Sequence, residues 1–352
     1  MKPLLFALSL AASLLLCTAH SCSEPAAATA ANNTPPESTT RRTTPLITGF
    51  GFEAPPQPAD SSVFSAMRRC GGNWVALIPY AFVPEGKTEI WFNHPRQWWG
   101  ERSDGIIACT QLARQQQQRI MLKPQLWLGG GTFTGNFAYT DTASWHAFEL
   151  NYTRYILHYA RLADSLRAEI FCIGTELAAF VKARPAYWQQ LITQVRSVYK
   201  GQLTYAENWD AWQNFPHWSL LDYIGVDAYF PLSKAQTPAV NELLALWKPY
   251  AQALKTTADK TGKPILFTEY GYRSCHHAAA QPWVSDTDVP VNLAAQENCY
   301  EALLRTFVPE HWFAGGFVWK WHAEKNTGGL YNNDFTPQNK PALKCIAKWY
   351  AQ

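Results

Sequence analysis

Phe171-Cys172-Ile173-Gly174-Thr175-Glu176 is an apolar run that ends on a carboxylate, and Ile265-Leu266-Phe267-Thr268-Glu269 repeats the pattern later in the chain. Neither run alternates polar with apolar residues. Both therefore read as strands covered on two faces, as in a parallel sheet packed under helices. Working outward from the first run, similar strands are expected at Leu46 to Phe52, Asn73 to Phe82, Arg119 to Leu128, Ala168 to Gly174, Leu203 to Asn208, Tyr223 to Tyr229, Pro264 to Glu269 and Gly315 to Trp321. Between them lie helical stretches near Ser61 to Arg69, Ile106 to Gln118, Trp145 to Leu166, Tyr187 to Tyr199, Val240 to Thr261 and Leu293 to Phe307, with Gln338 to Tyr350 as the last. Phe148, Tyr152, Tyr155, Ile156 and Tyr159 mark one buried stripe at helical spacing. Only a short helical piece fits before Tyr223, and Pro249 is expected to kink its helix.

Eight strands mostly separated by helices predict an α/β fold, a closed (β/α)8 barrel in one domain over residues 46–352. An open doubly wound sheet is the competing arrangement. It would concentrate polar residues at one switch point, whereas here they stand at the C-terminal end of nearly every strand.

The N-terminus reads as an export signal over residues 1–21. Lys2 is the positive residue, and Leu4 to Leu16 is an apolar run too short to span a bilayer. Ser21-Cys22 resembles a bacterial lipoprotein site, with Cys22 as the acylated anchor; ordinary signal-peptidase cleavage is the alternative, and both predict export to the periplasm or cell surface. Residues 22–45, rich in Ala, Thr, Pro and Asn, cannot bury enough surface to order themselves and read as a flexible linker. Beyond Cys22 six cysteines remain; Cys275 with Cys299 and Cys70 with Cys109 are possible disulfides, and Cys172 is expected as a buried thiol.

The 352 residues carry a formal net charge of only +3, with 16% charged residues, which excludes the basic footprint of a nucleic-acid binder and suits an uncharged substrate. Sixteen Trp are far more than a core of this size needs, and the surplus favours flat rings stacked on sugar faces. A monomer is expected.

In a barrel of this kind chemistry sits at the C-terminal strand ends. Those ends carry Lys123, Gln125 and Trp127, then Thr175 and Glu176, then Glu207, Asn208 and Trp209, then Asp227 and Tyr229, then Glu269, and finally Trp319, Lys320, Trp321 and His322. Carboxylates at the ends of buried strands are costly unless paired or used. Glu176 and Glu269 end the fourth and seventh strands, nearly across the barrel from each other, as a retaining glycosidase needs of its acid/base and nucleophile. No cofactor is implied. Cys275, His276 and His277 are too close in sequence to converge easily on one ion, so no metal site is expected there.

Ile173-Gly174-Thr175-Glu176, Asp227-Ala228-Tyr229-Phe230-Pro231, Thr268-Glu269-Tyr270-Gly271 and Gly316-Phe317-Val318-Trp319 resemble clan A glycoside hydrolases. With Lys123-Pro124-Gln125-Leu126-Trp127 and Trp98-Trp99-Gly100-Glu101, the chain looks most like family 113, whose described activity is endo-β-1,4-mannanase. The resemblance spans residues 46–350. It implies Glu176 as acid/base, Glu269 as nucleophile, Tyr229 as a hydrogen-bond donor to Glu269, and Trp319 as the floor under the sugar at the cleavage point. Many clan members carry Asn before the acid/base, where it binds the sugar 2-hydroxyl. Thr175 stands there, in keeping with family 113, and Asn208 is the candidate for that contact. Lys123 reads as a donor to substrate or to a carboxylate, and Trp99, Trp127 and Trp209 as subsite platforms, with Trp98 and Trp212 behind them. The expected substrate is a β-1,4-mannan or manno-oligosaccharide. A different β-glycan, or glycan binding without cleavage, are the alternatives.

Overall fold

The computed structural model describes residues 44–285 and 288–352; the expected export segment, Cys22 and nearly all of the expected linker lie outside them. Its strands are β1 (Ile47–Phe52), β2 (Trp74–Leu77), β3 (Tyr80–Val83), β4 (Arg119–Leu122), β5 (Gln125–Leu128), β6 (Ile170–Thr175), β7 (Gln202–Asn208), β8 (Ile224–Asp227), β9 (Ile265–Tyr270) and β10 (Phe313–Trp321). Eight of them close a barrel in the order β1-β10-β9-β8-β7-β6-β4-β2, and every pairing in it is parallel. The (β/α)8 expectation holds, and the open sheet is excluded because β1 bonds to both β2 and β10.

Two predicted strands are divided. Asn73 to Phe82 and Arg119 to Leu128 each split at a proline, Pro79 and Pro124. A proline offers no N–H to the ladder and restricts the residue before it, so each strand leaves the barrel there. The outer halves, β3 and β5, then pair with each other in parallel, from Tyr80 opposite Gln125 to Val83 opposite Leu128. This ribbon at the barrel mouth carries Tyr80, Gln125 and Trp127.

The helices are α1 (Ser61–Arg69), α2 (Ser103–Gln115), α3 (Thr142–Ser165), α4 (Ala178–Ala183), α5 (Pro185–Val198), α6 (Val240–Thr261), α7 (Leu293–Phe307) and α8 (Pro341–Tyr350). Their starts follow from capping chemistry: Asp60, Asp141 and Asn292 each accept a backbone N–H of the first turn. Gly262, at φ 66°, ends α6 in the left-handed conformation that favours glycine. The α3 stripe of Phe148, Tyr152, Tyr155, Ile156 and Tyr159 is buried as its spacing predicts. Only two short 3-10 turns, Trp212–Asn214 and Trp218–Leu220, separate β7 from β8.

Apolar packing forms two shells. One large cluster joins strands to the surrounding helices, and a smaller one, including Ile47, Trp74, Met121, Ile170, Leu266 and Phe317, packs separately from it. The separation follows from strand geometry, in which alternate side chains point inward to fill a barrel and outward to meet helices. Gly49 makes room for this filling: a Cβ there would lie 2.3 Å from the Phe317 ring.

The tryptophan surplus divides between two uses. Trp188 and Trp247 are fully buried, whereas Trp98 and Trp127 are 52% and 63% exposed. Neither possible disulfide forms, because Cys70, Cys109 and Cys299 are thiols. Cys109 and Cys299 are sunk among apolar neighbours, and Cys172 is the buried thiol expected of it.

Candidate active site

Glu269 lies near the C-terminal end of β9, 7% exposed. Its neighbours in the ring and on the rim converge on it. Lys123, just past β4, donates from Nζ to Oε1 at 2.5 Å, and Gln125, opening β5, donates to the same oxygen at 2.8 Å. Tyr229, two residues past β8, donates its hydroxyl to Oε2 at 2.8 Å. Charge-assisted donors of this kind fix a carboxylate in place and favour its ionised form. Burial raises the Tyr229 hydroxyl pKa, and the charge of Glu269 raises it further, so the phenol stays a donor.

Lys123 is fully buried and also reaches Asp227 Oδ2 at 3.3 Å. Burial alone would lower the lysine pKa; Asp227 and Glu269 outweigh it and keep the ammonium charged. The sequence left Lys123 between substrate and carboxylate, and the fold brings it to two carboxylates.

Glu176 follows β6 directly, with its backbone at φ 51° and its N–H bonded to Ala206 O at 2.8 Å. A positive φ is uncommon for a residue with a Cβ and costs on the order of 1 kcal/mol, which the surrounding sheet must over-determine. No donor among the described residues bonds its carboxyl. Burial pushes its pKa well above the ordinary range, and the charges of Asp227 and Glu269 add to that. One carboxyl is thus held still by three donors, and its neighbour is pushed toward the protonated form. That is the division a proton donor and a nucleophile require.

Two clefts open among residues at and beyond the strand ends. A cavity of about 640 Å³ sets the aromatic rings of Trp319, Trp98, Trp127 and Tyr80 beside the charged groups of Glu53 and Lys320. Trp319 lies in β10, and Gly271 beside it lets its backbone approach: a Cβ on Gly271 would sit 2.4 Å from Trp319 O. A second cavity of about 630 Å³ is lined by Ala178 and Ala179, which follow Glu176, and by Glu207 and Lys182. Glu207 is 2% exposed, and burial pushes its pKa up to about 7.

The other expected site residues are placed as follows. Trp98, not Trp99, lines the aromatic cleft; Trp99 opens a 3-10 turn and packs against the core. Trp212 is core, at 3% exposure. Trp209 stacks on Trp283, with ring centroids 5.4 Å apart and planes at 17°, and Trp283 is 43% exposed. Asn208 ends β7, and its carboxamide oxygen accepts the Trp209 N–H at 2.9 Å, so that oxygen is turned onto its own backbone. His277 and His276 go to different partners, Lys234 O and Asn292. Sequence reasoning had put Gln125, Asp227, Glu207 and Lys320 at strand ends without giving them roles, and it passed over Glu53, Thr268 and Trp283. Glu53 binds Lys320 at 2.6 Å and His322 at the barrel rim, and His322 Nε2 lies 3.5 Å from Asp334.

Residues 55–340 match the model of Glycoside Hydrolase Family 113. No curated protein matches the chain in sequence. Among solved structures, the chain is similar to the family 113 β-mannanase of Alicyclobacillus acidocaldarius in complex with ManMIm. The identity is 25% and the TM-score 0.78, over 88% of this chain and 98% of that one. A family 113 β-1,4-mannanase complex matches at 22% identity and TM-score 0.76, over 88% of this chain and all of the other. A family 5 mannosidase from Rhizomucor miehei shares the fold, at 11% identity and TM-score 0.57, over 87% and 92%. The family match covers most of the folded domain and contains both strand-end glutamates, so the chain belongs to glycoside hydrolase family 113 and is a glycoside hydrolase.

Proposed function

We propose that the protein is a retaining β-1,4-mannanase in which Glu269 is the nucleophile and Glu176 the acid/base. The observation that carries the reading is the contrast between the two carboxyls: Glu269 takes three donors, and Glu176, partly exposed and without a donor among the described residues, has a raised pKa beside it. In the first step Glu269 attacks the anomeric carbon while Glu176 gives its proton to the departing oxygen. In the second, Glu176 as carboxylate takes a proton from water, which displaces Glu269. Tyr229 and Gln125 hold the nucleophile to its line of attack. Trp319 stacks under the sugar at the cleavage point, and Trp98 and Trp127 carry the sugars beyond it. Asn208, through its amide group, is the proposed contact to the 2-hydroxyl. The cleft beside Ala178 and Glu207 takes the leaving group, because it adjoins the proton donor, and Trp209 stacked on Trp283 is the proposed platform farther along the leaving chain.

Mannan as substrate is supported by the solved family 113 β-mannanases to which the chain is similar. Two separate clefts, one beside the residues that follow Glu176 and one holding Trp98, Trp127 and Trp319, support cleavage within a chain rather than at its end. The test is reducing-sugar release from a panel of soluble polysaccharides with product sizing. Release of mixed manno-oligosaccharides from β-1,4-mannan is expected. Activity confined to another glycan, or release of mannose alone, would overturn the reading.

We further infer that the protein is exported and tethered to a membrane through acylated Cys22. The support is the order Lys2, apolar run, Ser21-Cys22 and a linker that holds the barrel off the surface. Replacing Cys22 with Ala is expected to move the protein from the membrane to the soluble fraction; unchanged fractionation would remove the tether.

A further inference from the structure

The nucleophile reading uses one of the two carboxylates that share Lys123. The other, Asp227, ends β8 and is 1% exposed. Its Oδ2 faces the ammonium at 3.3 Å, and its Oδ1 accepts the Thr268 hydroxyl at 2.7 Å. A second carboxylate in so dry a place is costly unless something requires it. One cation facing two carboxyl groups is also more than is needed to hold Glu269 still; burial and the charge of Glu269 push the Asp227 pKa up to about 7, and Asp227 ionises more readily once Glu269 loses its charge.

The reaction supplies a use. When Glu269 bonds to the anomeric carbon, the bond to the leaving oxygen breaks and its electron pair stays on that oxygen. The oxygen takes the proton of Glu176, Glu176 becomes a carboxylate, and Glu269 becomes a neutral ester. Lys123 then loses the charge of its nearer partner, with no solvent to replace it. We propose that Asp227 is a positioning residue: it shares Lys123 in the free enzyme, so the ammonium does not clamp Glu269 too tightly to attack, and it keeps Lys123 paired while Glu269 is esterified. This rests on Glu269 being the nucleophile. Thr268, adjacent to Glu269 in β9, ties the two carboxylates to one backbone segment, so Asp227 keeps its place as the nucleophile changes charge.

The prediction is a pair of opposite effects. In Asp227→Asn, Lys123 faces Glu269 alone. The carboxylate is held harder as a nucleophile, so the first step slows. It is also stabilised as a leaving group, so the second step quickens. A loss of structure slows both. The probe is a 2-deoxy-2-fluoro β-manno-oligosaccharyl fluoride. Its inactivation rate reads formation of the glycosyl-enzyme, its reactivation rate reads breakdown, and peptide mass spectrometry locates the label. Inactivation is expected to slow roughly tenfold to a hundredfold, as a firmer hold on Glu269 by its one charged donor would give, with faster reactivation. Thr268→Val, which removes only the tether on Asp227, is expected to shift both rates in the same directions by less, and it carries the test if Asp227→Asn does not fold. A label on Glu269 with both rates lowered together, or both unchanged, overturns the role of Asp227 and leaves the nucleophile standing. A label elsewhere overturns the nucleophile reading itself.

Discussion

The ends of β6 and β9 present the same residue in nearly the same sequence setting, an apolar strand running into Thr-Glu, yet they build opposite environments. At β9 the carboxylate stays within the strand, and Lys123, Gln125 and Tyr229 reach it from two other strands of the barrel and the rim ribbon. At β6 the chain turns to φ 51° at Glu176 itself, and the carboxyl is set among negative charges instead of donors. The difference teaches that the role of a strand-end carboxylate is set across the barrel and not along its own strand. Chain-distant donors hold one carboxyl in place, and burial with neighbouring negative charge pushes the other toward its protonated form.

Removing either glutamate breaks the comparison most severely. Glu269→Ala deletes the group that forms the covalent intermediate, and hydrolysis is expected to fall by about four orders of magnitude or more. Added azide should restore turnover by entering from the emptied side and give the α-glycosyl azide, identified by NMR. Full activity in this variant would end the assignment. Glu176→Ala is expected to lose about a hundredfold to ten-thousandfold on mannan, the usual worth of a general acid. Formation of the intermediate from a dinitrophenyl glycoside should survive, because that leaving group departs without a proton. Azide should here give the β-azide. Identical azide anomers from the two variants would show that the environments do not divide the roles.

Most of the barrel was legible because its signals are local. Both-face burial writes itself as unbroken apolar runs, and each strand end marks a rim position. The breaks at Pro79 and Pro124 were also local, yet each strand resumes beyond its proline in a new sheet, so the apolar pattern runs through the break. Two kinds of site information were not local. Lys123 lies 146 residues from Glu269 in sequence, and only barrel closure decides that its ammonium meets a carboxylate and not substrate. Trp98 and Trp99 are adjacent, and only the turn that begins at Trp99 decides which ring faces the cleft. Trp283, whose ring completes the stack on Trp209, stands in a loop with no periodicity to place it.

A smaller effect sharpens the contrast through pH. As the proposed acid, Glu176 acts with its proton on, and burial with the charges of Asp227 and Glu269 raises its pKa. The alkaline limb of kcat/KM is therefore expected above the ordinary carboxyl range. Asp227→Asn removes a negative neighbour, so Glu176 ionises more readily and the limb should move to lower pH, by about one unit for each 1.4 kcal/mol of lost repulsion. A limb that stays in place, or moves up, would mean that Asp227 does not act on Glu176.

The weakest expected effect comes from a third glutamate, which shows that a bonded carboxylate is not by itself a nucleophile. Glu53, just past β1, is held by Lys320 and His322 at the rim, and burial of His322 is outweighed by its bonds to Asp334 and Glu53, which push its pKa up to about 9. Because that value lies above the unfolded 6.5, the network's stabilisation is fully present below about pH 6.5 and drains away as the pH rises through about 9. Its size is on the order of 2 kcal/mol after allowance for the open side of the rim. Urea melts at a series of pH values should show this decline in the wild type and a flat profile in His322→Gln over the same window. The first-step rate on a dinitrophenyl glycoside should change far less than the stability, since His322 lines a separate cavity against α1 and reaches the aromatic cleft only through Glu53. A variant that keeps the alkaline loss of stability would place its origin elsewhere. One that loses the first step instead would draw Glu53 into the chemistry and blur the line between a carboxylate held for structure and one held for attack.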